Sequence, residues 1–447
     1  MKKRALIVIA AVLVLTGCAE RETYEGADGP TAVIGQPEES ALKEEGRDEP
    51  SQKDDEEPRE EEDMSDAEIK DADALKTAVN TFNWNYYDLL DAGENMLYSP
   101  FSIESAMAMA LYGAEGNTKQ ELMDTLKISD IDTFMEDYRV FSKRQYGEEG
   151  KLTTANSLWI DKTFGEKNKI NEDFIDGLSK KMDAEVKTED FLNASDKAKE
   201  DISDWVNDKT ENLISDYSSQ ADSSTVLDII NAIYFFGKWE KQFMEEDTFE
   251  GTFRGKEQKP AKFMNMWDES FRYYADGSFK ALEVPYKDCS LVMDLVLPVN
   301  DEDLNIGQEW KALSLQEKED IMQALSESGY EDVEELVIPK FTMDVTANDL
   351  KGALEALGIK DAFDPSRADF SGIADNVYIS GIAHRAKIEV DEEGSRAAAV
   401  TEIIMNVTSA APIDEEPVTF ICDRPFLYVI KDTDTGVILF TGLVNGL

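Results

Sequence analysis

The sequence predicts an α+β domain. Apolar segments with a helical period come early, strand-like runs dominate late, and no βαβ alternation repeats between them. The 447-residue chain is 42% hydrophobic, with 21 Phe, 15 Tyr and 6 Trp, enough apolar matter for a large core. Residues 67–447 show no second linker and read as one domain.

Two segments precede that domain. Lys2-Lys3-Arg4 is followed by an apolar run from Ala5 to Leu15 and then Thr16-Gly17-Cys18. A basic start, a short apolar stretch and small residues at its end describe a secretory signal. The run is too short for an ordinary membrane span of about 20 residues. Leu15-Thr16-Gly17-Cys18 resembles the lipobox of prokaryotic lipoproteins, in which the peptide is cut before the Cys and lipid joins its thiol. Residues 1–18 are therefore expected to be a lipoprotein signal, with Cys18 the lipidation site and the cell envelope, at the membrane's outer face, the destination. Plain secretion is the alternative. Residues 19–66 hold 19 Asp/Glu, 5 Lys/Arg, four Pro and nine apolar residues in 48, a composition that predicts an acidic, disordered tether.

Within the domain, Leu75, Val79, Phe82, Trp84, Tyr86, Leu89 and Leu90 mark a first amphipathic helix. Ser99-Pro100 starts a second, with Ser102 near its N-terminus and an apolar face through Leu111. Strand-like runs fall at 152–160, 226–236, 291–297, 335–338, 386–390, 426–430 and 437–443. Asp432-Thr433-Asp434-Thr435-Gly436 reads as the turn of a terminal hairpin; its Gly and Glu spacing is not that of a calcium-binding EF-hand.

Charge and composition exclude several functions. The net charge is −50, to which residues 2–4 contribute +3, the tether −14 and the domain −39. Such a field repels phosphate and sulfate, so neither nucleic acid nor heparin is an expected partner. One histidine, His384, rules out multi-His zinc sites, and any Ser-His-Asp machinery would have to use it. Three cysteines are too few for a disulfide scaffold, and Cys289 and Cys422, in strand-like stretches, read as buried thiols. No G-x-S-x-G, P-loop or C-x-x-C motif occurs. No metal, cofactor or catalytic residue is expected, and the chain reads as no enzyme.

The segment from Asp391 to Ala411 is unusual. Every second residue from Ser395 (Ser395, Ala397, Ala399, Thr401, Ile403, Met405) is uncharged, and the intervening set holds Arg396, Glu402 and Asn406. That alternation suits a strand with one face on a core. Yet Gly394, the acidic Glu392-Glu393 start and the exit through Pro412, Glu415, Glu416 and Pro417 describe an exposed loop. An ordinary surface loop or an Ala-rich helical turn would fit the pattern equally well.

Blocks along nearly the whole domain resemble the serpin family. Asn95-Met96-Leu97-Tyr98-Ser99-Pro100-Phe101-Ser102-Ile103 is similar to its N-[IV]-x-x-S-P-x-S-I signature. Asn231 to Glu240 resembles its N-x-[IV]-Y-F-x-G-x-W block, and Ile338-Pro339-Lys340-Phe341 its I-P-K-F strand. Asp369 to Ile373 and Ile382-Ala383-His384-Arg385-Ala386 resemble the approach to the family's mobile loop. Glu392-Glu393-Gly394-Ser395 with Ala397-Ala398-Ala399 resembles its hinge, and Asp423 to Leu427 with Thr441-Gly442 its C-terminal signature.

The resemblance implies three β-sheets, about nine helices and an exposed reactive-centre loop, here about 392–417. It implies an inhibitor that acts as a suicide substrate: a protease attacks the loop, and the cut loop inserts as a central strand of the main sheet while the acyl-enzyme is still intact. The family's spacing from the first hinge Glu, here Glu392, puts the reactive bond at Thr408–Ser409, with bonds from Met405–Asn406 to Ala410–Ala411 as neighbours. Small uncharged residues there point to elastase-like or subtilisin-like serine proteases, with certain cysteine proteases as a further class. Asn406-Val407-Thr408 is a sequon expected to carry no glycan, because a glycan would obstruct attack. Ser99, Ser102, Asn231 and His384 match the family's shutter beneath the main sheet. A monomer is expected. Two other readings stay open: a non-inhibitory relative acting as a binding or chaperone module, and a hydrolase using His384.

Overall fold

The computed structural model describes residues 7–19, 72–146, 150–214, 217–347, 350–392 and 418–447. Its strands are β1 (Ile7–Ala19), β2 (Met96–Tyr98), β3 (Gly150–Asp161), β4 (Glu185–Glu189), β5 (Thr225–Gly237), β6 (Phe249–Arg254), β7 (Gln258–Ala275), β8 (Phe279–Pro285), β9 (Leu291–Pro298), β10 (Tyr330–Pro339), β11 (Phe341–Ala347), β12 (Val377–Val390), β13 (Val418–Ile421), β14 (Phe426–Asp432) and β15 (Ile438–Val444). Its helices are α1 (Asp73–Tyr87), α2 (Pro100–Tyr112), α3 (Gly116–Leu126), α4 (Ile131–Ser142), α5 (Lys162–Lys167), α6 (Glu172–Lys181), α7 (Phe191–Lys209), α8 (Ile306–Ala312), α9 (Leu315–Glu327) and α10 (Leu350–Leu357).

The main sheet has six strands in the order β11-β12-β1-β5-β3-β4. The other strands run β13-β10-β7-β8-β9-β14-β15-β2, with β6 also on β7. This array divides at the 18-residue β7. The first part of β7 pairs with β6 and β10, and its last four residues pair with β8. The result is three sheets, as the resemblance implies, and ten α-helices among the described residues.

Local sequence explains the elements that flank the site. Ser99 caps α2, its hydroxyl accepting from the Ser102 amide at 3.0 Å, and Pro100 occupies the first turn, where a missing N–H costs nothing. β5 is buried along nearly all of its 13 residues and is mostly apolar, with Asp228 and Asn231 as buried polar exceptions, as a central strand covered on both faces can be. On one side α2 packs beneath β5 and β1. On the other, α7 brings Phe191, Ile202 and Trp205 against Trp159, Ile230 and Tyr234. β14 and β15 form the terminal hairpin. Gly436 sits in its turn at φ +74°, where any Cβ would also press on the Lys76 side chain.

Two details differ from the sequence reading. Cys289 lies in the turn between β8 and β9 and is only half-buried, because Ser290 and Asp288 bracket a tight connection; Cys422 is buried as expected. The apolar run near the N-terminus, read as an address, forms β1, a central strand of the main sheet. From Ala5 to Ala19 it carries no charge, and Ile7, Val8, Ile9, Val12, Val14 and Thr16 are β-branched, which suits a strand covered on both faces.

Candidate functional site: the hinge and the strand slot

β12 leads directly into the segment expected to be the hinge. Its last residue is Val390, and Asp391 and Glu392 follow. The indole Nε1 of Trp239 donates to the Asp391 carbonyl at 3.2 Å. Trp239 is buried and held parallel to Tyr286, ring centres 4.8 Å apart, so it is core packing and an anchor for the strand end together. Glu392 is also buried. One carboxylate oxygen accepts from the Thr248 hydroxyl at 2.7 Å, and the other pairs with the Lys340 ammonium. Burial alone would push the Glu392 carboxyl up, but the bonds from Lys340 and Thr248 outweigh it and hold the group below its ordinary value. These residues line an open cleft of about 350 Å³ with Glu245, Phe249, Glu250 and Lys262.

Of the sequence-predicted hinge, Glu392 is placed here. Glu393, Gly394, Ser395, Ala397, Ala398 and Ala399 lie outside the described residues, as does the reactive bond Thr408–Ser409.

The predicted shutter residues converge beneath the middle of the main sheet. The Ser99 amide donates to His384 Nε2 at 3.1 Å, and Ser102 joins through the Ser99 hydroxyl. Accepting at Nε2 places the neutral ring's proton on Nδ1. His384 on β12 and Asn231 on β5 stand at one level, since both are opposite Leu13 of β1 in the strand register. Asn231 donates to Asn156 Oδ1 at 2.8 Å, and Asn156 donates to the Tyr138 hydroxyl and the Met182 carbonyl. A catalytic role would require a nucleophile at His384 Nε2; that position is taken by a backbone amide.

Between those two strands, β12 and β5, lies the slot. β1 pairs with β12 from Val8↔Glu389 to Ala19↔Val377 and with β5 from Ile7↔Gly237 to Cys18↔Thr225, antiparallel to both. Cys18, the expected lipidation site, is at the far end, opposite Tyr378 and Thr225.

Three site features were not anticipated from sequence. Lys340 lies in the I-P-K-F block, which assigns it no role, and Thr248 lies in none of the motifs. Glu104 in α2 is buried, and neither carboxylate oxygen has a hydrogen-bond partner among the described residues. It stands out in the sequence only as the one charge in an apolar helix.

Comparison with known proteins adds the family. The serpin (serine protease inhibitor) model matches residues 77–446. Leukocyte elastase inhibitor A of Mus musculus is 34% identical over 364 residues, covering 78% of this chain and 92% of that protein. An uncharacterized serpin-like protein of Methanosarcina acetivorans is 30% identical over 457 residues, covering 99% of this chain and 98% of that protein. Among solved structures, tengpin, a thermophilic serpin in its native state, superposes with a TM-score of 0.69 at 26% identity, covering 86% of this chain and 95% of that one.

Proposed function

The chain belongs to the serpin family, whose members are protease inhibitors as a class, and we propose that it traps serine proteases as a suicide substrate. One observation carries the reading: β12 runs straight into the hinge at Glu392, beside a slot in the main sheet that accepts a full-length strand.

In this reading a protease serine attacks the Thr408 carbonyl. The Thr408–Ser409 peptide bond breaks, Ser409 leaves as the new amine, and Thr408 is held as an ester on the enzyme. The loop from Glu393 onward then folds back antiparallel to β12 and becomes a strand between β12 and β5. Ser395, Ala397, Ala399, Thr401, Ile403 and Met405 face the core. Insertion moves the tethered protease before water can cleave the ester.

The targets are elastase-like or subtilisin-like serine proteases, with cysteine proteases a further class. The mouse relative is named as an inhibitor of leukocyte elastase, and the small residues around Thr408 suit shallow specificity pockets. The mature chain, a monomer, starts at Cys18 and is held at the outer face of the cell envelope by lipid on that thiol, with residues 19–66 as spacer.

The test mixes the chain beginning at Cys18 with subtilisin and with elastase. The expected product is an SDS-resistant complex near the sum of the two masses. Cleaved chain with fully active protease, across a broad panel, would overturn the proposal. The non-inhibitory binding reading gains support from one feature, the presence of β1 in the slot.

A further inference from the structure

The strand slot already has an occupant from the same chain. β1 lies between β12 and β5 and pairs with β12 from Val8 to Ala19 and with β5 from Ile7 to Cys18. Its direction matters. The N-terminal end of β1, at Val8, is opposite Glu389 at the hinge end of β12, and its C-terminal end, at Ala19, is opposite Val377. A loop leaving β12 at Asp391 and turning back beside it would run the same way. β1 has 13 residues, matching β5 at 13 and β12 at 14. Leader and loop would therefore occupy one position in one orientation, and they exclude each other.

Sequence chemistry favours the leader there. Residues Ala5 to Ala19 carry no charge, whereas the loop set brings Arg396 and Glu402 with it. A sheet strand covered on both faces favours an unbroken, β-branched apolar run. The same run also suits a membrane, which would draw it out of the slot during export.

We infer that the leader, while it remains on the chain, is an intramolecular ligand of the strand slot and holds the precursor closed and non-inhibitory. A chain that folds before export fills its own slot and cannot insert its loop. Hydrolysis of the Gly17–Cys18 bond consumes one water, leaves a carboxyl on Gly17 and an amine on Cys18, and severs the strand from the domain. The slot's ligand class is thus an uncharged, β-branched segment about a dozen residues long. The inhibitory consequence rests on the function proposed above; the occupancy does not.

The experiment uses the full chain made by cell-free translation without membranes. Ala11 and Ala386 are direct partners in the β1–β12 register, so Ala11→Cys with Ala386→Cys should form a disulfide under mild oxidation, identified by peptide mass spectrometry. Ala11→Cys with Ile382→Cys, four residues out of register, should not. Next, complex formation with subtilisin is compared among the full chain, the full chain carrying Val12→Pro, and the chain from Ala19. Proline removes a ladder hydrogen bond from a central strand. The full chain is expected to give at least tenfold less complex than the chain from Ala19, and Val12→Pro to restore it. Equal complex from full and shortened chains, or no Ala11–Ala386 cross-link, overturns the inference. Absence of complex from both chains sinks the inhibitory reading instead, and the cross-link then decides the occupancy by itself.

Discussion

Lys340 pairs with Glu392 from a position between two sheets. It is the single residue separating β10, which ends at Pro339, from β11, which begins at Phe341, and its own amide donates to the Lys262 carbonyl at 2.7 Å. Glu392, the first acid of the proposed hinge, is thus tied to the point where the main sheet and its neighbour share one stretch of chain. Any movement of the hinge must break or carry this pair.

Removing Lys340 should therefore loosen the hinge end. Lys340→Met leaves a buried carboxylate with Thr248 as its remaining side-chain donor, and the expected loss is about 1–3 kcal/mol. Glu392→Gln should cost less, because no buried charge is left behind. The pH dependence follows from the lowered pKa of Glu392. A carboxyl lowered in the folded state contributes stability that is complete above its unfolded value and disappears as pH falls through the folded one. Urea midpoints of the wild type should therefore drop more between pH 5 and pH 3 than those of Glu392→Gln. Parallel curves would show that the pair does not couple to folding.

Glu104 has the opposite sign. It is fully buried, and burial pushes its carboxyl well above the ordinary range. The folded state therefore holds a proton that the unfolded chain releases near pH 4.5, and stability falls as pH rises between the two values. The slope from one proton is about 1.4 kcal/mol per pH unit. Glu104→Gln keeps the shape without the titration, so its stability advantage over wild type should grow from pH 5 to pH 8 in urea melts. A constant difference would mean that the carboxyl is not titrating in this window.

Much of this was readable in the chain, for reasons that particular residues show. The Ser99 cap and Pro100 declared α2 because both act through local backbone chemistry. The seven strand-like runs fall in strands, save Val437 just before β15, because apolar and β-branched residues recur through each of them. β7 was missed: its first part, Gln258 to Lys262, is polar and edge-like, and Asp268, at φ +54°, interrupts the run. The Lys340–Glu392 pair was invisible because its partners lie 52 residues apart and only the fold brings them together. β1 is ambiguous in the sequence. A short, uncharged, β-branched run reads equally well as a leader and as a strand covered on both faces, and periodicity cannot separate the two.

The bond from the Ser99 amide to His384 predicts a stability cost without a catalytic one. His384→Ala orphans a buried N–H and leaves a cavity in the core, together about 2–4 kcal/mol. The variant should melt at lower temperature by differential scanning calorimetry. His384→Asn or His384→Gln, which keeps an acceptor, should recover part of the loss. Peptide-hydrolysing activity present in the wild type and abolished by His384→Ala, with the fold intact, would revive the hydrolase reading.

The inserting face of the loop offers the sharpest test of the proposed function. Ser395, Ala397 and Ala399 form its small, uncharged start. In the chain beginning at Cys18, Ser395→Arg would place a charge where the strand meets the core, and an unpaired buried charge costs several kcal/mol. Insertion should then be slower than deacylation, so the protease is released and the chain is consumed as substrate. Titration against subtilisin should show the moles of chain used per mole of enzyme inhibited rising at least tenfold. Arg396→Ala, on the outward set, should leave that ratio unchanged. If Ser395→Arg inhibits as well as wild type, the assignment of the inserting face is wrong.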